Sequence, residues 1–292
     1  MGVPTEAKRE FFIFGHNIAH SLSPALHNAG FRELNLPHRY RIHESADVDA
    51  SVESLVNQAD FGGASVTFPH KLQIGRLLDA ITPCAERVGA VNTVMVRDAE
   101  DGGRRVLVGD NTDWVGIKRC IERSRPTSLG ESAGLVLGAG GAARAACYAM
   151  QMLGVAEVLV VNRTVANGEA MVARFPGLRS RVFGSFDKML DAEDMLPVRV
   201  IVACVPADDL GEDKIPAALF SGSATGALVE MAYRPQITGM MKRAAQCPGW
   251  SISRGVDVLE EQAYEQFRKW TGMDAPESVM REAMQAKAKA NM

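Results

Sequence analysis

The chain has 292 residues, a length that predicts two domains of ordinary size, each able to bury its own core. The apolar fraction of 47% is typical of a globular protein. A formal charge of −3, with acidic and basic residues interspersed, argues against nucleic-acid binding and against a polybasic membrane-binding protein. No apolar run is long enough to span a bilayer, and the N-terminal segment MGVPTEAKRE lacks the apolar core of a signal peptide. We therefore expect a cytoplasmic protein.

Cysteine and histidine usage gives no sign of a metal site. The five cysteines are widely scattered and none has metal-ligand spacing, so they are interpreted as reduced thiols packed as small apolar side chains. All six histidines fall within residues 16–70, which favours a separate N-terminal module, but their spacing predicts no zinc site.

The first part of the chain alternates short apolar runs with helical patterns. Pro24 suits a first helical turn, and Ser23 is predicted to be the N-cap of that helix. Residues 98–103 (DAEDGG) are predicted to form a hairpin turn. The predicted strands are 11–14, 39–43, 63–66, 91–97 and 104–108, and the predicted helices are 24–34, 48–58 and part of 70–79.

The same alternation continues after a helix at 114–123 and a breaker-rich crossing at 124–132. It predicts α/β architecture with mainly parallel sheets. The later predicted strands are 134–137, 157–161, 198–204 and 227–231, and the later predicted helices are 141–153, 165–175 and a helical tail over 256–291.

The segment Leu135–Ala143 (LVLGAGGAA) has the strand, turn and helix pattern of a dinucleotide-binding unit. Gly138 allows the tight turn, Gly140 allows the backbone to approach a pyrophosphate, and the small Ala143 allows close helix–strand packing. The N–H groups at the start of the helix then bind phosphate. The central position of this motif predicts that the preceding module holds a substrate.

The residues after the next predicted strand indicate which nucleotide is bound. An NAD site carries an acidic residue here, whereas this chain has Asn162, Arg163 and Thr164. A guanidinium is suited to a 2′-phosphate because its planar fork makes paired charge-assisted hydrogen bonds. The pattern favours NADP, and the alternative is that Arg163 is an ordinary surface charge.

Polar residues follow several predicted strands of the first module. Ser21 and Ser23 place two hydroxyls at the start of a helix, where they can bind a carboxylate, although capping alone accounts for Ser23. Thr67 and Lys71 follow the third strand, and strand ends of α/β sheets face ligand crevices. From this segment alone, a solvated surface lysine is the simpler interpretation of Lys71.

Two further polar segments lie near the end of the first module. Asn92 stands at a strand start, where asparagine is often only a turn residue. The segment Gly109–Asp113 (GDNTD) ends the next predicted strand, and either Thr112 or Asp113 is a candidate helix cap. Two acids and an amide at one strand end form a denser polar cluster than a cap requires.

These segments together resemble the shikimate dehydrogenase family over essentially the whole chain. Details such as GDNTDW, MAYRP and FRKWTG are similar to the shikimate dehydrogenase domain of the fungal pentafunctional aromatic-pathway protein and to fungal quinate dehydrogenases. The segments that carry the resemblance are SLSP at 21–24, SVTFPHK at 65–71, GAVNTV at 89–94, GDNTDWVG at 109–116, GAGGAA at 138–143, NRT at 162–164 and GVDVLEEQ at 255–262.

The resemblance implies NADP-linked interconversion of 3-dehydroshikimate and shikimate in aromatic amino-acid biosynthesis. It also implies an N-terminal α/β substrate domain over residues 1–115, completed by C-terminal helices at 256–292 that return to it. The Rossmann-type NADP-binding domain would then cover residues 116–255. The expected state is a monomer or homodimer that binds small-molecule substrates, with no metal, nucleic acid or membrane.

The resemblance also assigns roles to individual residues. Lys71 and Asp113 form the catalytic pair, and the separate proton-transfer role of each stays open. The implied substrate-binding residues are Ser21 and Ser23 for the carboxylate, Thr67, Asn92, Asp113 and Gln262 for the ring hydroxyls, Tyr233 as a lining residue, and Ser65. The implied cofactor-binding residues are Gly138, Ala139, Gly140, Gly141, Ala142, Asn162, Arg163, Thr164 and Gly255.

Some departures from the family pattern leave alternatives open. Many NADP-using members carry a second basic residue after NRT, where this chain has Ala166 and Asn167, so use of NAD also stays open. Many bacterial members have Asn at the position of Ser65, a difference shared with fungal-type relatives. The alternative functions are a quinate or dual quinate/shikimate dehydrogenase using NAD(P), and a non-catalytic regulator that binds quinate or shikimate.

Overall fold

The structure, a computed structural model, describes residues 7–98, 104–207, 210–221, 225–232 and 234–290. The chain divides into two compact units. The first unit comprises residues up to Thr112 together with those from Gln262 onward, and the second comprises Asp113–Glu261.

The first unit is built on a mixed six-stranded sheet with the strand order β2-β1-β3-β5-β6-β4. Strand β1 is parallel to β2 and β3, whereas β5 is antiparallel to both β3 and β6. The antiparallel β5–β6 pair agrees with the predicted hairpin, and the β3–β5 pair is a further antiparallel exception to the mainly parallel pairing. The strands are β1 Glu10–Gly15, β2 Arg39–Glu44, β3 Phe61–Val66, β4 Ala80–Ile81, β5 Thr93–Asp98 and β6 Arg105–Asp110.

Helices cover the first sheet with apolar side chains. A buried cluster that includes Phe12, Val52 and Phe61 packs on one side of the sheet. Gly30 allows close packing between two helices, because a Cβ at this position would lie 3.0 Å from the sulfur of Met280. The helices are α1 Ser23–Glu33, α2 Ala50–Val56 and α3 Pro83–Val88, followed late in the chain by most of α10 Gly255–Thr271 and by α11 Glu277–Ala290.

The second unit has an all-parallel six-stranded sheet with the strand order β12-β11-β10-β7-β8-β9. Numbered within the sheet, this is the 3-2-1-4-5-6 order of a Rossmann fold. The order reverses between β7 and β10, where open α/β sheets bind ligands. The strands are β7 Ala133–Leu137, β8 Glu157–Val161, β9 Ser180–Phe183, β10 Val198–Ala203, β11 Gly226–Glu230 and β12 Trp250–Ser253.

The strands of the second unit are buried apolar runs, as parallel strands covered on both faces require. Leu135, Leu159 and Ile201 are completely buried in its core. The helices are α4 Asp113–Ser124, α5 Gly141–Met152, α6 Val165–Val172, α7 Phe186–Leu190, α8 Ala218–Ser221 and α9 Gly239–Ala245, together with the first residues of α10.

Several sequence predictions are corrected by the structure. Ser23 is not a cap, because Leu22 is the N-cap of α1 and already has helical dihedral angles, so Ser23 is the first residue of the helix. The segment predicted as helical over 70–79 forms two 3₁₀ turns, His70–Leu72 and Ile74–Leu77. Most of the hairpin turn predicted at 98–103 lies outside the described residues.

Helix α10 belongs to both units, with residues up to Glu261 in the second and residues from Gln262 in the first. Among the helices of the described ranges, none combines the length and the apolar character needed to cross a bilayer. The same ranges contain no group of three or more His, Cys, Asp or Glu side chains able to hold a metal ion.

Candidate active site

Strand pairing in the first unit brings polar residues from three strands to one edge of its sheet. Ser65 of β3 pairs with Thr93 of β5, and Thr93 pairs with Asp110 of β6. Because β5 runs antiparallel to its neighbours, its beginning lies beside the carboxyl ends of β3 and β6. Asn92 and Thr112, which flank these strand ends, therefore lie at the same edge.

Asn92 is the centre of a buried hydrogen-bonded cluster at this edge. It is 2% exposed, and its Oδ1 accepts from the backbone N–H of Thr112 at 2.7 Å and from the Thr93 hydroxyl at 2.7 Å. Its Nδ2 donates to the Thr112 hydroxyl at 2.9 Å and to Oε1 of Gln262 at 3.1 Å. The structure thus brings together two predicted site residues, Asn92 and Gln262, that are 170 positions apart.

Ser21 and Ser23 lie at the start of α1, and both are buried. The Ser21 Oγ accepts a hydrogen bond from the backbone N–H of Ser23 at 3.3 Å. Burial raises the pKa of the Tyr40 phenol, and interactions with the Ser65 and Ser23 hydroxyls oppose this rise. Two hydroxyls next to a helix start form an arrangement that can bind a carboxylate.

Ser65 is held between Tyr40 and Gln266. The Tyr40 hydroxyl donates to the Ser65 Oγ at 2.6 Å, and the Ser65 hydroxyl donates to Oε1 of Gln266 at 2.9 Å. Gln266 lies on α10 four residues after Gln262, so both amides project from one face of that helix. Helix α10 therefore brings two amides to the edge of the sheet.

Thr67 and Lys71 lie on the segment that leaves β3. The Thr67 N–H donates to Phe14 of β1, and the carbonyl of Lys71 accepts from the Val91 N–H at 2.9 Å. Lys71 is half-buried in the 3₁₀ turn that begins at His70. This backbone bond fixes the Lys71 segment beside the residue that precedes Asn92.

His70 anchors the same turn. Its ring is completely buried, and its Nε2 lies 2.8 Å from the Ser45 hydroxyl in the loop that follows β2. Burial lowers the pKa of this imidazole below its ordinary value. The neutral His70 ring, hydrogen-bonded to Ser45, thus fixes the backbone directly before Lys71.

The segment from Asp110 to Asp113 ends β6 and begins α4. Asp110 is 2% exposed, and its Oδ2 pairs with the Lys269 ammonium at 2.9 Å. Burial alone would raise the pKa of Asp110, but hydrogen bonds from Cys84, Thr82 and Lys269 outweigh it and lower the pKa. Asp113 is buried and is the first residue of the second unit.

The predicted dinucleotide loop lies at the topological switch point of the second sheet. Gly138 has a φ of 101°, which favours glycine, and a Cβ there would lie 3.2 Å from the carbonyl of Cys204, after β10. At Gly140 a Cβ would meet nothing within 4 Å. Gly140 is the N-cap of α5 and has no side chain to cap it, so the first-turn N–H groups near Gly141 and Ala142 can bind an anion.

The segment after β8 has an ordered turn. The Nδ2 of Asn162 donates to the carbonyl of Thr164 at 2.8 Å, and Thr164 is the N-cap of α6 without a side-chain capping bond. Arg163 is exposed between them. Two predicted cofactor residues thus shape the turn, and the third presents a guanidinium to solvent.

Gly255 begins α10 where the backbone is crowded. A Cβ at this position would lie 2.6 Å from the carbonyl oxygen of Met231 and 2.9 Å from the backbone of Ala232. The position therefore excludes any side chain without a backbone shift. Tyr233, the predicted lining residue that follows Ala232, lies outside the described residues.

Residues 13–94 match the model of the shikimate dehydrogenase substrate binding domain, and residues 255–285 match that of the shikimate 5'-dehydrogenase C-terminal domain. The shikimate 5-dehydrogenase from Thermus thermophilus, solved with NADP(H) and shikimate, is 32% identical, with a TM-score of 0.77 over 96% of this chain and 99% of that one. The chain belongs to the shikimate dehydrogenase family. This confirms the resemblance stated from the motifs and the predicted fold class.

Two fungal proteins are also similar to this chain. The pentafunctional AROM polypeptide of Malassezia globosa is 43% identical over 274 residues, which cover 92% of this chain and 17% of that protein. The quinate repressor protein of Emericella nidulans is 35% identical over 312 residues, covering 93% of this chain and 34% of that protein. The chain thus spans from about a sixth to a third of the length of these curated relatives.

The sequence predictions missed several residues of the candidate site in this shikimate dehydrogenase family member. Tyr40, Thr93 and Gln266 all hydrogen-bond predicted site residues, and Thr112, considered only as a helix cap, bonds both Asn92 and Gln262. The four-residue spacing between Gln262 and Gln266 was the one available sequence signal for Gln266.

Proposed function

We propose that the chain is an NADP-dependent shikimate dehydrogenase that catalyses reversible hydride transfer between 3-dehydroshikimate and shikimate. The observation that carries the proposal is the buried cluster of Asn92, Thr112 and Gln262, beside the segment that bears Lys71. A polar cluster at the ends of strands is suited to a small polyhydroxylated ligand. The Thermus thermophilus relative, solved with shikimate and NADP(H), supports this ligand class.

In this proposal, the first unit binds the substrate and the second binds the cofactor. Ser21 and Ser23 hold the substrate carboxylate at the start of α1. Thr67, Asn92, Asp113 and Gln262 bind the ring hydroxyls, Ser65 also contacts the substrate, and Tyr233 lines the site. The roles follow the family resemblance and are compatible with the burial and hydrogen bonding of the described residues.

The proposed chemistry needs a hydride at the carbonyl carbon and a proton at the carbonyl oxygen. The bound nicotinamide supplies or accepts the hydride. Lys71 stabilises the negative charge that develops on the oxygen and donates the proton, and it takes the proton back when shikimate is oxidised. Asp113 orients Lys71 and a neighbouring substrate hydroxyl, completing a catalytic pair.

The loop after β7 fits a dinucleotide. The open space at Gly140 leaves room for a pyrophosphate, and the start of α5 offers N–H donors to it. We propose that Arg163 binds the 2′-phosphate of NADP, with Asn162 and Thr164 shaping the turn that presents it. Because Ala166 and Asn167 supply no second cation, we expect NADP to be preferred and NAD to be used weakly.

Reduced-nicotinamide absorbance tests the proposal when shikimate and quinate are each combined with NADP and NAD. We expect rapid NADP reduction with shikimate and little with quinate. The Lys71→Met variant should lose turnover by about 10²- to 10⁴-fold, the usual range for removal of a general acid. Unchanged turnover in that variant contradicts the proposed mechanism.

Two other functions give different results in the same assay. Quinate oxidation with NAD assigns the chain to a quinate or dual quinate/shikimate dehydrogenase. The similarity to a quinate repressor protein raises a non-catalytic regulator as the second candidate. That candidate predicts shikimate or quinate binding by calorimetry without turnover in any combination. A cytoplasmic location and a monomeric or homodimeric state stay predictions.

A further inference from the structure

The hydrogen bonds around Gln266 fix the direction in which its amide points. Gln266 is 1% exposed, and one end of its side chain lies 3.2 Å from the carbonyl oxygen of Asn92. A carbonyl only accepts, so this end is the NH₂ group, which also donates to the Thr93 hydroxyl at 2.9 Å. The other end, Oε1, therefore faces Ser65.

The orientation of Gln266 determines the hydrogen-bonding role of Ser65. A serine hydroxyl has one proton, and Oε1 of Gln266 at 2.9 Å can only accept it. The Tyr40 hydroxyl, 2.6 Å from the Ser65 oxygen, must then donate its own proton to Ser65. With its proton and one lone pair engaged, Ser65 offers a ligand only its second lone pair.

A second chain of hydrogen bonds fixes the amide of Gln262. The backbone N–H of Thr112 identifies the atom 2.7 Å away as the oxygen of Asn92. The Asn92 NH₂ group therefore faces Gln262, whose Oε1 accepts from it at 3.1 Å and from the Thr112 hydroxyl at 2.9 Å. The NH₂ group of Gln262 is thus turned away from this cluster.

We propose that Gln266 is a positioning residue that makes Ser65 an acceptor only, so that the substrate site selects a ring hydroxyl that donates to Ser65. The inference rests on the proposed function, which places Ser65 in the substrate site. Ser65 therefore distinguishes a ligand hydroxyl that donates a hydrogen bond from one that accepts.

The Gln266→Met variant tests this inference because it removes the acceptor of the Ser65 proton at similar side-chain volume. The Ser65 hydroxyl is then free to rotate, and its lone pair is no longer held toward the ligand. We expect the calorimetric Kd and the KM for shikimate to rise roughly tenfold, equivalent to about 1.4 kcal/mol, with little change in kcat or in the KM for NADP.

The matched control is Thr271→Val on the same helix. The Thr271 hydroxyl is also buried, but it bonds only the backbone of Phe267 and of Met273. Its loss should lower the midpoint of thermal unfolding while leaving the KM for shikimate unchanged. The comparison separates a loss of stability from a loss of ligand orientation.

Shikimate analogues that each lack one ring hydroxyl supply a readout that a structural role would not change. For the analogue without the hydroxyl facing Ser65, the wild-type and Gln266→Met proteins should bind equally. A tenfold difference that persists with every analogue overturns the inference, as does an unchanged Kd for shikimate. A wild-type protein that neither binds nor oxidises shikimate overturns the proposed function itself, together with the inference.

Discussion

Removal of the Lys269 ammonium is expected to destabilise the first unit by about 2–3 kcal/mol. The Nζ of Lys269 lies 2.9 Å from Oδ2 of Asp110, whose side chain is only 2% exposed. Breaking a buried ion pair costs about 3–5 kcal/mol because a charge is left without its partner. The cost is lower here because Oδ1 retains hydrogen bonds from Thr82, Cys84 and the Asn111 N–H, and because Lys269 is 30% exposed.

The loss of stability in the Lys269→Met variant should depend on pH because the Asp110 carboxyl titrates. Although burial opposes it, hydrogen bonding lowers the pKa of Asp110 below its ordinary value of 3.8 in the folded protein. A lowered folded pKa adds stability above 3.8, and that stability is lost as the pH falls through the folded pKa. Lys269→Met raises the Asp110 pKa. The difference in the free energy of unfolding between the wild type and this variant should therefore be largest near neutral pH and should become smaller in acid.

At high pH, the titration of Lys269 itself limits the stability that the ion pair contributes. Burial opposes its charge, but Asp110 and Glu265 together outweigh burial and raise the pKa of Lys269 above 10.5. A raised folded pKa adds stability that is fully present below 10.5 and is lost as the pH rises through the folded pKa. The pair is therefore expected to contribute fully at neutral pH.

Urea unfolding of the wild type, Lys269→Met, Asp110→Asn and the double variant measures this coupling. Circular dichroism gives the free energy of unfolding, and amide hydrogen exchange assigns the loss to the first unit. In the Asp110→Asn background, Lys269→Met should lower the free energy of unfolding by less than about 0.5 kcal/mol, because the Asp110 charge that pairs with Lys269 is already absent. An equal cost in both backgrounds, or one independent of pH, refutes the reasoning.

Four further variants test the proposed ligand contacts. Gly140→Ala should change the free energy of unfolding by less than about 0.5 kcal/mol but should raise the KM for NADP. Gly138→Ala should lower the free energy of unfolding by about 1–2 kcal/mol because of its positive φ. An unchanged KM for NADP in Gly140→Ala argues against the phosphate site. Arg163→Gln should raise the KM for NADP roughly tenfold and leave that for NAD unchanged, as steady-state kinetics would report. Asn92→Asp places a second oxygen where the amide now donates to Gln262, so the KM for shikimate should rise about tenfold.

The fold of the second unit could be predicted well from local sequence patterns. The glycine turn after β7 and the apolar runs of β8, β10 and β11 specify parallel strands joined by helices. The edge strands β9 and β12 were missed because they are short and their residues are only partly buried. Edge strands depend on a neighbouring strand for their hydrogen bonds, and sequence periodicity carries no information about that pairing.

The helix start at Ser23 shows a limit of local rules. Serine before a predicted helix is normally a good cap, because a non-helical residue can direct its hydroxyl at the next N–H groups. Here Leu22 has φ −86° and ψ −13°, so the chain is already helical before Ser23. The Ser23 hydroxyl instead lowers the pKa of the buried Tyr40 phenol, an interaction that depends on how α1 packs against β2.

The site itself depends on contacts between distant parts of the chain. The motifs around Asn92 and Gln262 identify each residue separately through the family resemblance. Their hydrogen bond forms only because α10 returns to the first unit after 170 residues. Gln266 follows from the same return, and its role depends on strand register that places Ser65 opposite Thr93. Neither the helix return nor the register can be predicted from local periodicity.

The two proposed ligand sites differ in how they are ordered. In the first unit, Asn92 and Gln262 are oriented by protein groups, so little further ordering is needed when a substrate binds, and specificity comes from fixed donors and acceptors. In the second unit, Gly140 leaves open space, and the start of α5 has no side-chain capping bond, so its first N–H groups can bind an anion. In the proposed function, substrate recognition therefore relies on preset hydrogen-bond direction, whereas cofactor recognition relies on phosphate charge. For this reason we expect Gln266→Met to change substrate binding and not cofactor binding.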